Sequence, residues 1–184
     1  AYYLMNWQDM QTAVYDRDLA TIQFNTNIGD AKITGIELDW TIITDSGMTV
    51  SIAGAFTDPK LEENFILDGE ILASPGTQLA NVAKQKYSLA LNKDFSVMGR
   101  DGYWDLNLSR TGSRKSSITN PVKQSGYTTS SFSTTFVGEN WDGILYVDNL
   151  LDKRAVIWEY QGFRPETKFT NRPREIGLRI KYKL

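Results

Sequence analysis

Histidine and cysteine are both absent from these 184 residues, which excludes imidazole acid–base chemistry, thiol catalysis, disulfides and the usual zinc sites together. Carboxylates, hydroxyls, lysine, arginine and tyrosine remain. Four groupings of them have the types and spacing to bind or react. The stretch TDPKLEENFILDGE carries Asp58, Glu62, Glu63, Asp68 and Glu70, oxygen ligands of the sort calcium takes. Their spacing is not that of a calcium-binding hand, and they read equally as a solvated acidic loop. In SRTGSRKSS, Arg110, Arg114 and Lys115 are candidates to hold an anionic substrate or a lipid phosphate, because the planar guanidinium matches both; the alternative is a solvated loop. Residues 151–172, LDKRAVIWEYQGFRPETKFTNR, set Trp158, Tyr160, Phe163 and Phe169 among Arg154, Arg164 and Arg172. That mixture of broad apolar area and directed hydrogen bonds suits substrate capture, although such rings also pack loops onto their neighbours. The fourth set, Glu37, Asp39, Glu175, Arg179 and Lys181, holds acids and bases together. With no pocket to shift a carboxylate's pKa, it reads as a wall facing water or another protein segment and not as catalytic machinery. No residue set calls for a cofactor or a metal.

Strands must carry these groups. The net charge of −2 offers no basic stripe for nucleic acid. No apolar run approaches the roughly 20 residues of a membrane helix, a test that does not touch membrane barrels, whose alternation dilutes hydropathy. The start, AYYLMNWQDM, has no basic region followed by an apolar stretch and reads as strand interior, so no signal peptide is expected. Period-two alternation of β-branched and aromatic residues predicts about nine strands, over 1–13, 19–26, 30–43, 47–57, 86–96, 102–111, 126–137, 140–150 and 173–184. The second and third are readable as one, making eight. A weak helical pattern spans 77–85.

The connections alternate in length. TDSG (44–47), SVMGRDG (96–102) and GEN (138–140) are short; 58–85, 112–125 and 151–172 are long. An up-and-down sheet puts these on opposite rims, as in outer-membrane barrels. YDRD (15–18) and NIGD (27–30) are both short, and one of them interrupts the alternation. The strands have two faces. Ile36, Leu38 and Trp40 oppose Gly35, Glu37 and Asp39, and Ile176, Leu178, Ile180 and Tyr182 oppose Glu175, Gly177, Arg179 and Lys181. Trp40, Phe95, Trp104 and Trp141 fall near strand ends, where interfacial girdles need them. A half-buried sheet in a soluble sandwich alternates in the same way; loop segregation favours the barrel.

Several stretches, in order, resemble the C-terminal barrel of TonB-dependent outer-membrane receptors. They are NIGDAKITGIELDW, then GAFTDPKLEENF followed by SPGTQLANVAKQKYSLAL, then WDGILYVDNLLDKRAV with its Asn-Leu-x-Asp end, and finally RPREIGLRIKYKL. The likeness covers essentially the whole chain and implies an all-β, antiparallel, up-and-down transmembrane barrel, with 1–184 as the C-terminal segment of a wall of about 22 strands. It implies a bacterial outer-membrane location, and import of a scarce nutrient such as a ferric siderophore, a cobalamin, a carbohydrate or a peptide. The long loops would capture the nutrient, with Trp158, Tyr160, Phe163, Arg164, Arg114 and Lys115 as the candidate ligand-binding residues. The implied partners are outer-membrane lipid and lipopolysaccharide, a small nutrient ligand, and TonB acting through a plug that this chain does not contain. Members usually end in an aromatic residue, whereas this chain ends in Leu184 with Tyr182 two residues earlier. Because so few strands cannot enclose a wide lumen, the chain is expected to belong to a longer receptor or to complete a barrel with another chain. The rival readings are a passive or split outer-membrane barrel, and a soluble sandwich that binds or adheres.

Overall fold

The alternation is realised as one broad antiparallel sheet. The computed structural model describes residues 2–15, 23–159 and 167–183. Its strands are β1 (Tyr2–Trp7), β2 (Gln11–Tyr15), β3 (Gln23–Asn27), β4 (Ala31–Ile43), β5 (Met48–Leu61), β6 (Phe65–Leu67), β7 (Glu70–Ala73), β8 (Gln85–Val97), β9 (Arg100–Thr111), β10 (Arg114–Lys115), β11 (Lys123–Gln124), β12 (Tyr127–Val137), β13 (Trp141–Asp148), β14 (Val156–Glu159), β15 (Lys168–Thr170) and β16 (Glu175–Tyr182). Eight form the main sheet in the order β1-β4-β5-β8-β9-β12-β13-β16, and the other eight pair as four small hairpins, β2–β3, β6–β7, β10–β11 and β14–β15. Each hairpin belongs to a long connection, so all four lie at one rim. The opposite rim carries the turns at 44–47, 98–99 and 138–140.

This arrangement removes the irregularity at NIGD. Residues 28–30 are not a rim turn but a kink inside one long hairpin. Met10 N–H donates to the Gly29 carbonyl (3.0 Å) and Ile28 N–H to the Met10 carbonyl (2.8 Å), joining the β2–β3 ladder to the β1–β4 ladder. Gly29 has φ +90°, a conformation that costs a residue without Cβ little. The described part of the strand expected over 19–26, from residue 23 on, is therefore the return arm of that hairpin as β3, and the main sheet takes the eight-strand count. The weak helix over 77–85 is not formed. That segment instead lies along the end of β5, with Leu61 N–H on Thr77 O (2.9 Å), Leu79 N–H on Pro59 O (3.1 Å) and Thr57 N–H on Lys84 O (2.8 Å).

Register fixes the faces, because directly opposed residues share one. Ile36 opposes Phe56, Leu38 opposes Gly54 and Trp40 opposes Ile52; Ile52 opposes Leu89 and Val50 opposes Leu91; these meet Leu108 and Leu106. At the far edge Leu145 opposes Leu178 and Gly143 opposes Ile180. The apolar face thus runs unbroken across all eight strands, and no layer of the described residues covers it: Ile36, Leu38, Ile176, Leu178 and Ile180 are 50%, 59%, 73%, 64% and 67% exposed. A sandwich would have sealed them. Toward the short-turn rim this face carries Trp40, Phe95, Trp104, Phe136, Trp141 and Tyr182. Phe95 meets Phe136 edge-on at 5.5 Å, Trp104 stacks on Phe132 at 6.4 Å, and the Arg100 guanidinium lies 5.9 Å from the Trp141 ring. The other face is hydroxylated, amidic or charged, with Glu37, Asp39, Ser88, Asn107, Thr129, Ser131, Asp148, Glu175, Arg179 and Lys181.

Candidate functional site

The long-connection rim holds what core the described residues have. Val14, Ile28, Ala31, Leu61, Phe65, Ala73, Leu79 and Ile118 form one buried cluster, flanked by Met10, Ile33, Leu67 and Leu72. These come from three separate connections and the strand ends beneath them. Each fully buried Leu, Ile or Phe contributes roughly 1.5–3 kcal/mol, so the connections support one another. They form a built platform at the long-connection rim. Ile118 brings the β10–β11 connection into it, and Asn81 N–H donates to the Lys115 carbonyl at 2.7 Å.

Two acids of the acidic stretch, Asp58 and Glu62, are paired with lysines. Asp58 lies 2.6 Å from Lys60 and 2.9 Å from Lys84, and Glu62 is 3.9 Å from Lys32. Hydrogen bonds from Lys60 and then Lys84 hold the Asp58 carboxyl below its usual range. Among the described residues no three carboxylates are grouped to hold a metal ion. Through Lys84, Asp58 fastens the segment before β8 to the end of β5.

The last connection is gripped at its neck. Asn149, in the left-handed region at φ 51°, donates from Nδ2 to the carbonyls of Lys153 (3.2 Å) and Arg172 (3.0 Å), and its Oδ1 accepts Lys153 N–H (3.2 Å). Asn171 repeats the device from the other side, with Oδ1 accepting Ala155 N–H (2.7 Å) and Nδ2 donating to the Lys153 carbonyl (2.9 Å). Asp152 Oδ1 accepts Arg174 N–H at 3.3 Å, and buried Ser130 accepts Leu151 N–H at 3.0 Å. The sequence's Asn-Leu-x-Asp end is therefore a clasp, a positioning role not read from the sequence. Asparagine followed by a short polar turn is the signal that marks it.

The candidate capture residues separate into three groups. Trp158 projects from β14 with its ring 5.2 Å from Phe169 of β15, and both rings are partly exposed. Arg154 Nη2 donates to Thr170 Oγ1 at 3.0 Å, bracing the same hairpin. Arg114 and Lys115 make up β10, opposite Gln124 and Lys123. Arg114 is enclosed, donating from Nη2 to the Ile157 carbonyl, which ties the β10–β11 hairpin to β14. Lys115 is half-buried. Arg110, below them, donates to Thr128 Oγ1 at 3.3 Å on the apolar side of the sheet. Tyr160, Phe163 and Arg164 lie outside the described residues.

On the polar face Tyr146 O–H donates to Glu175 Oε1 at 3.3 Å, and the Arg179 guanidinium stands 5.6 Å from the Tyr146 ring. Tyr146 lies over Gly177, where a Cβ would meet the ring at 2.4 Å. Asp148 and Glu175 oppose each other across β13 and β16, beside a cleft of about 320 Å³ that Asn107, Thr129 and Ser131 also line. This is a wet, mixed-charge wall.

A family model described as TonB dependent receptor-like, beta-barrel, matches residues 1–150. Among solved structures, the ferric yersiniabactin uptake receptor FyuA of Yersinia pestis superposes with a TM-score of 0.74 at 22% identity, covering 97% of this chain and 26% of that one. The siderophore receptor PiuA of Acinetobacter baumannii gives 0.69 at 19% identity, over 97% and 24%. The FrpB iron transporter of Neisseria meningitidis gives 0.65 at 16%, over 98% and 28%. The chain spans about a quarter of the length of each of these three proteins, and at such identities the likeness carries the fold. No curated protein matches by sequence.

Proposed function

Because this chain belongs to the TonB-dependent receptor-like β-barrel family, a family of bacterial outer-membrane receptors and not of enzymes, we propose that it supplies wall and outer loops to an importer of a scarce nutrient. In this reading residues 1–184 are the C-terminal segment of a longer barrel, whose remaining strands extend the sheet beyond β1 and β16. Unpaired backbone groups at those edges would otherwise meet hydrocarbon, at several kcal/mol each. The polar face borders a lumen occupied by a plug, and TonB delivers energy through that plug. The connections on the platform rim reach outside the cell.

The observation that carries the reading is the pairing of a sheet apolar on one uncovered face with connections segregated by length to opposite rims. Trp158, with Tyr160, Phe163 and Arg164, forms the aromatic and basic part of the capture surface, and Lys115 lies on the neighbouring hairpin. Lipid and lipopolysaccharide meet the apolar face and its outer margin. The cargo is a ferric siderophore, a cobalamin, a carbohydrate or a peptide. The test is growth of a strain lacking the protein on media limited in turn for iron, cobalamin, oligosaccharide or peptide, with the gene restored in hosts with and without TonB. Restoration only where TonB is present is expected. Restoration without TonB would identify a passive channel instead.

A further inference from the structure

On the outward face of β4 and β5, successive opposed pairs change character toward the long-connection rim. Ile36 opposes Phe56, Thr34 opposes Asp58, and Lys32 opposes Lys60, so apolar gives way to polar and then to basic. Phe56 meets the Tyr87 ring edge-on at 5.5 Å, and a tyrosine at the margin of an apolar band marks the boundary with the headgroups. Lys32 therefore stands just past the hydrocarbon, roughly 13 Å along the strand from Ile36. Arg110, opposite Tyr87 on the same face, extends this basic margin. Two ammonium groups opposed across neighbouring strands repel each other, and acids beside them temper that repulsion. Asp58 lies 2.6 Å from Lys60 and 2.9 Å from Lys84, while Glu62 stands 3.9 Å from Lys32, beyond hydrogen-bond distance.

Lys32, Thr34, Asp58, Lys60 and Glu62 line a cleft of about 470 Å³, which is of ligand size. The chain after β7 closes one side, with Gly76 in the wall and its N–H on the Leu61 carbonyl at 2.8 Å. Around the cleft three ammonium groups stand against two carboxylates. Each ammonium has three donors, so the contacts to Asp58 and Glu62 leave N–H groups for a further acceptor. The lysines call for an anion, and the acids and Thr34 call for hydroxyl donors at its flanks. A bare phosphate meets the first demand and not the second; a phosphorylated sugar meets both. Acyl chains cover Ile36 and Phe56 directly below, which places a lipid headgroup at the mouth of the cleft. We propose that this cleft seats the phosphorylated sugar headgroup of lipopolysaccharide, with phosphate on Lys32, Lys60 and Lys84 and acyl chains on Ile36 and Phe56. The proposal rests on the reading above that this rim faces outside the cell, and it turns general contact with the outer leaflet into one built site. Filling it ties the ends of β4 and β5 to the segment before β8.

The test uses the full-length receptor carrying this segment, purified in detergent and stripped of lipid, with diphosphoryl lipid A as probe against dephosphorylated lipid A, phosphatidylglycerol and inorganic phosphate. Native mass spectrometry reads the bound lipid, and the thermal midpoint reads its effect. Diphosphoryl lipid A is expected to bind and raise the midpoint, with the other two lipids at least about tenfold weaker and inorganic phosphate inert at the same concentration. Lys32→Gln combined with Lys60→Gln should weaken lipid A binding by a similar factor. Lys93→Gln, on the outward face opposite Trp104 at the short-turn rim, should leave it unchanged. Thr34→Glu keeps every lysine and sets a carboxylate among them, so it should hold or raise the midpoint in buffer alone and abolish the lipid A response. An unresponsive wild-type protein, equal binding of dephosphorylated lipid A or phosphatidylglycerol, an equal loss in Lys93→Gln, or a lipid A response that survives Thr34→Glu would each overturn the seat. The growth test is independent of this one. TonB-dependent uptake without a preference for phosphorylated lipid A sinks only the seat, and that preference without TonB dependence sinks only the importer.

Discussion

At the scale of single residues, polar side chains in the connections act mainly as fasteners. Asn149 closes the neck of the last connection with three hydrogen bonds from one amide. Replacing it with alanine removes those bonds and puts a Cβ-bearing residue with no local hydrogen bond at positive φ. We expect a loss of about 1–3 kcal/mol, confined to the neck. Amide exchange over 150–156 and 168–174 should quicken while the main sheet keeps its protection; Asn149→Gly, which suits the backbone but not the bonds, should fall between. Asp58 works in the same way, with a pH signature. Its carboxyl is held below the ordinary 3.8 by Lys60 and then Lys84, so its contribution is fully present above the unfolded value and is lost as pH falls through the lower folded one. The group is substantially exposed, which keeps the effect under about 1 kcal/mol. Protection of the segment before β8 should therefore hold from neutral pH to about 4 and decline below it, and Asp58→Asn should show the acid level of protection at every pH. Residue types alone gave the candidates but not their roles. Arg114 and Arg154 look alike in sequence, and only the fold encloses one and leaves the other bracing a hairpin. The acids of 58–70 could be read as ligands or as solvated charges until register brought Lys60 and Lys84 onto Asp58.

At the scale of elements, two periodicities share the long strands. The middle of β4 and β5 alternates, apolar outward and polar or small inward, and this part was legible because alternation needs no tertiary information. Beyond Gly35 toward the long-connection rim the inward face turns apolar, with Ile33 and Ala31 joining Leu61, Phe65 and Leu79. That change marks where the wall stops facing water and begins to support the platform. The sequence alone could not show it, because the platform is assembled from connections far apart in the chain. The kink at Ile28–Gly29 stays open in the sequence for the same reason: a short polar stretch with glycine looks like a turn whether the chain reverses there or merely bends. The platform predicts a separation of effects. Phe65→Ala empties the centre of its cluster and should cost about 3–5 kcal/mol of local stability. Limited proteolysis should cut the β6–β7 and β10–β11 connections more readily, while the eight-stranded sheet retains its strand signal by circular dichroism. Equal loss in both would mean that platform and wall are one cooperative unit.

At the scale of the whole molecule, the sheet resolves a problem that neither face solves alone. An apolar face this broad has no place in water, and a polar face with unlike charges side by side has no place in lipid. Lipid on one side and a hydrated lumen on the other satisfy both, and the rim aromatics, among them Trp40, Trp104, Trp141 and Tyr182, sit where the two media meet. The family assignment and the outer-membrane location follow from this architecture together with the match over residues 1–150. The direct test labels one side chain at a time. Since the chain has no cysteine, single cysteines at 36, 38, 176, 178 and 180, and at 37, 39, 175, 179 and 181, can each carry a spin label in the receptor reconstituted in a bilayer. Collision with oxygen, which concentrates in acyl chains, should dominate at every position of the first set, and collision with a water-soluble nickel chelate at every position of the second. Nickel-dominated collision at the first set would contradict the account at its base.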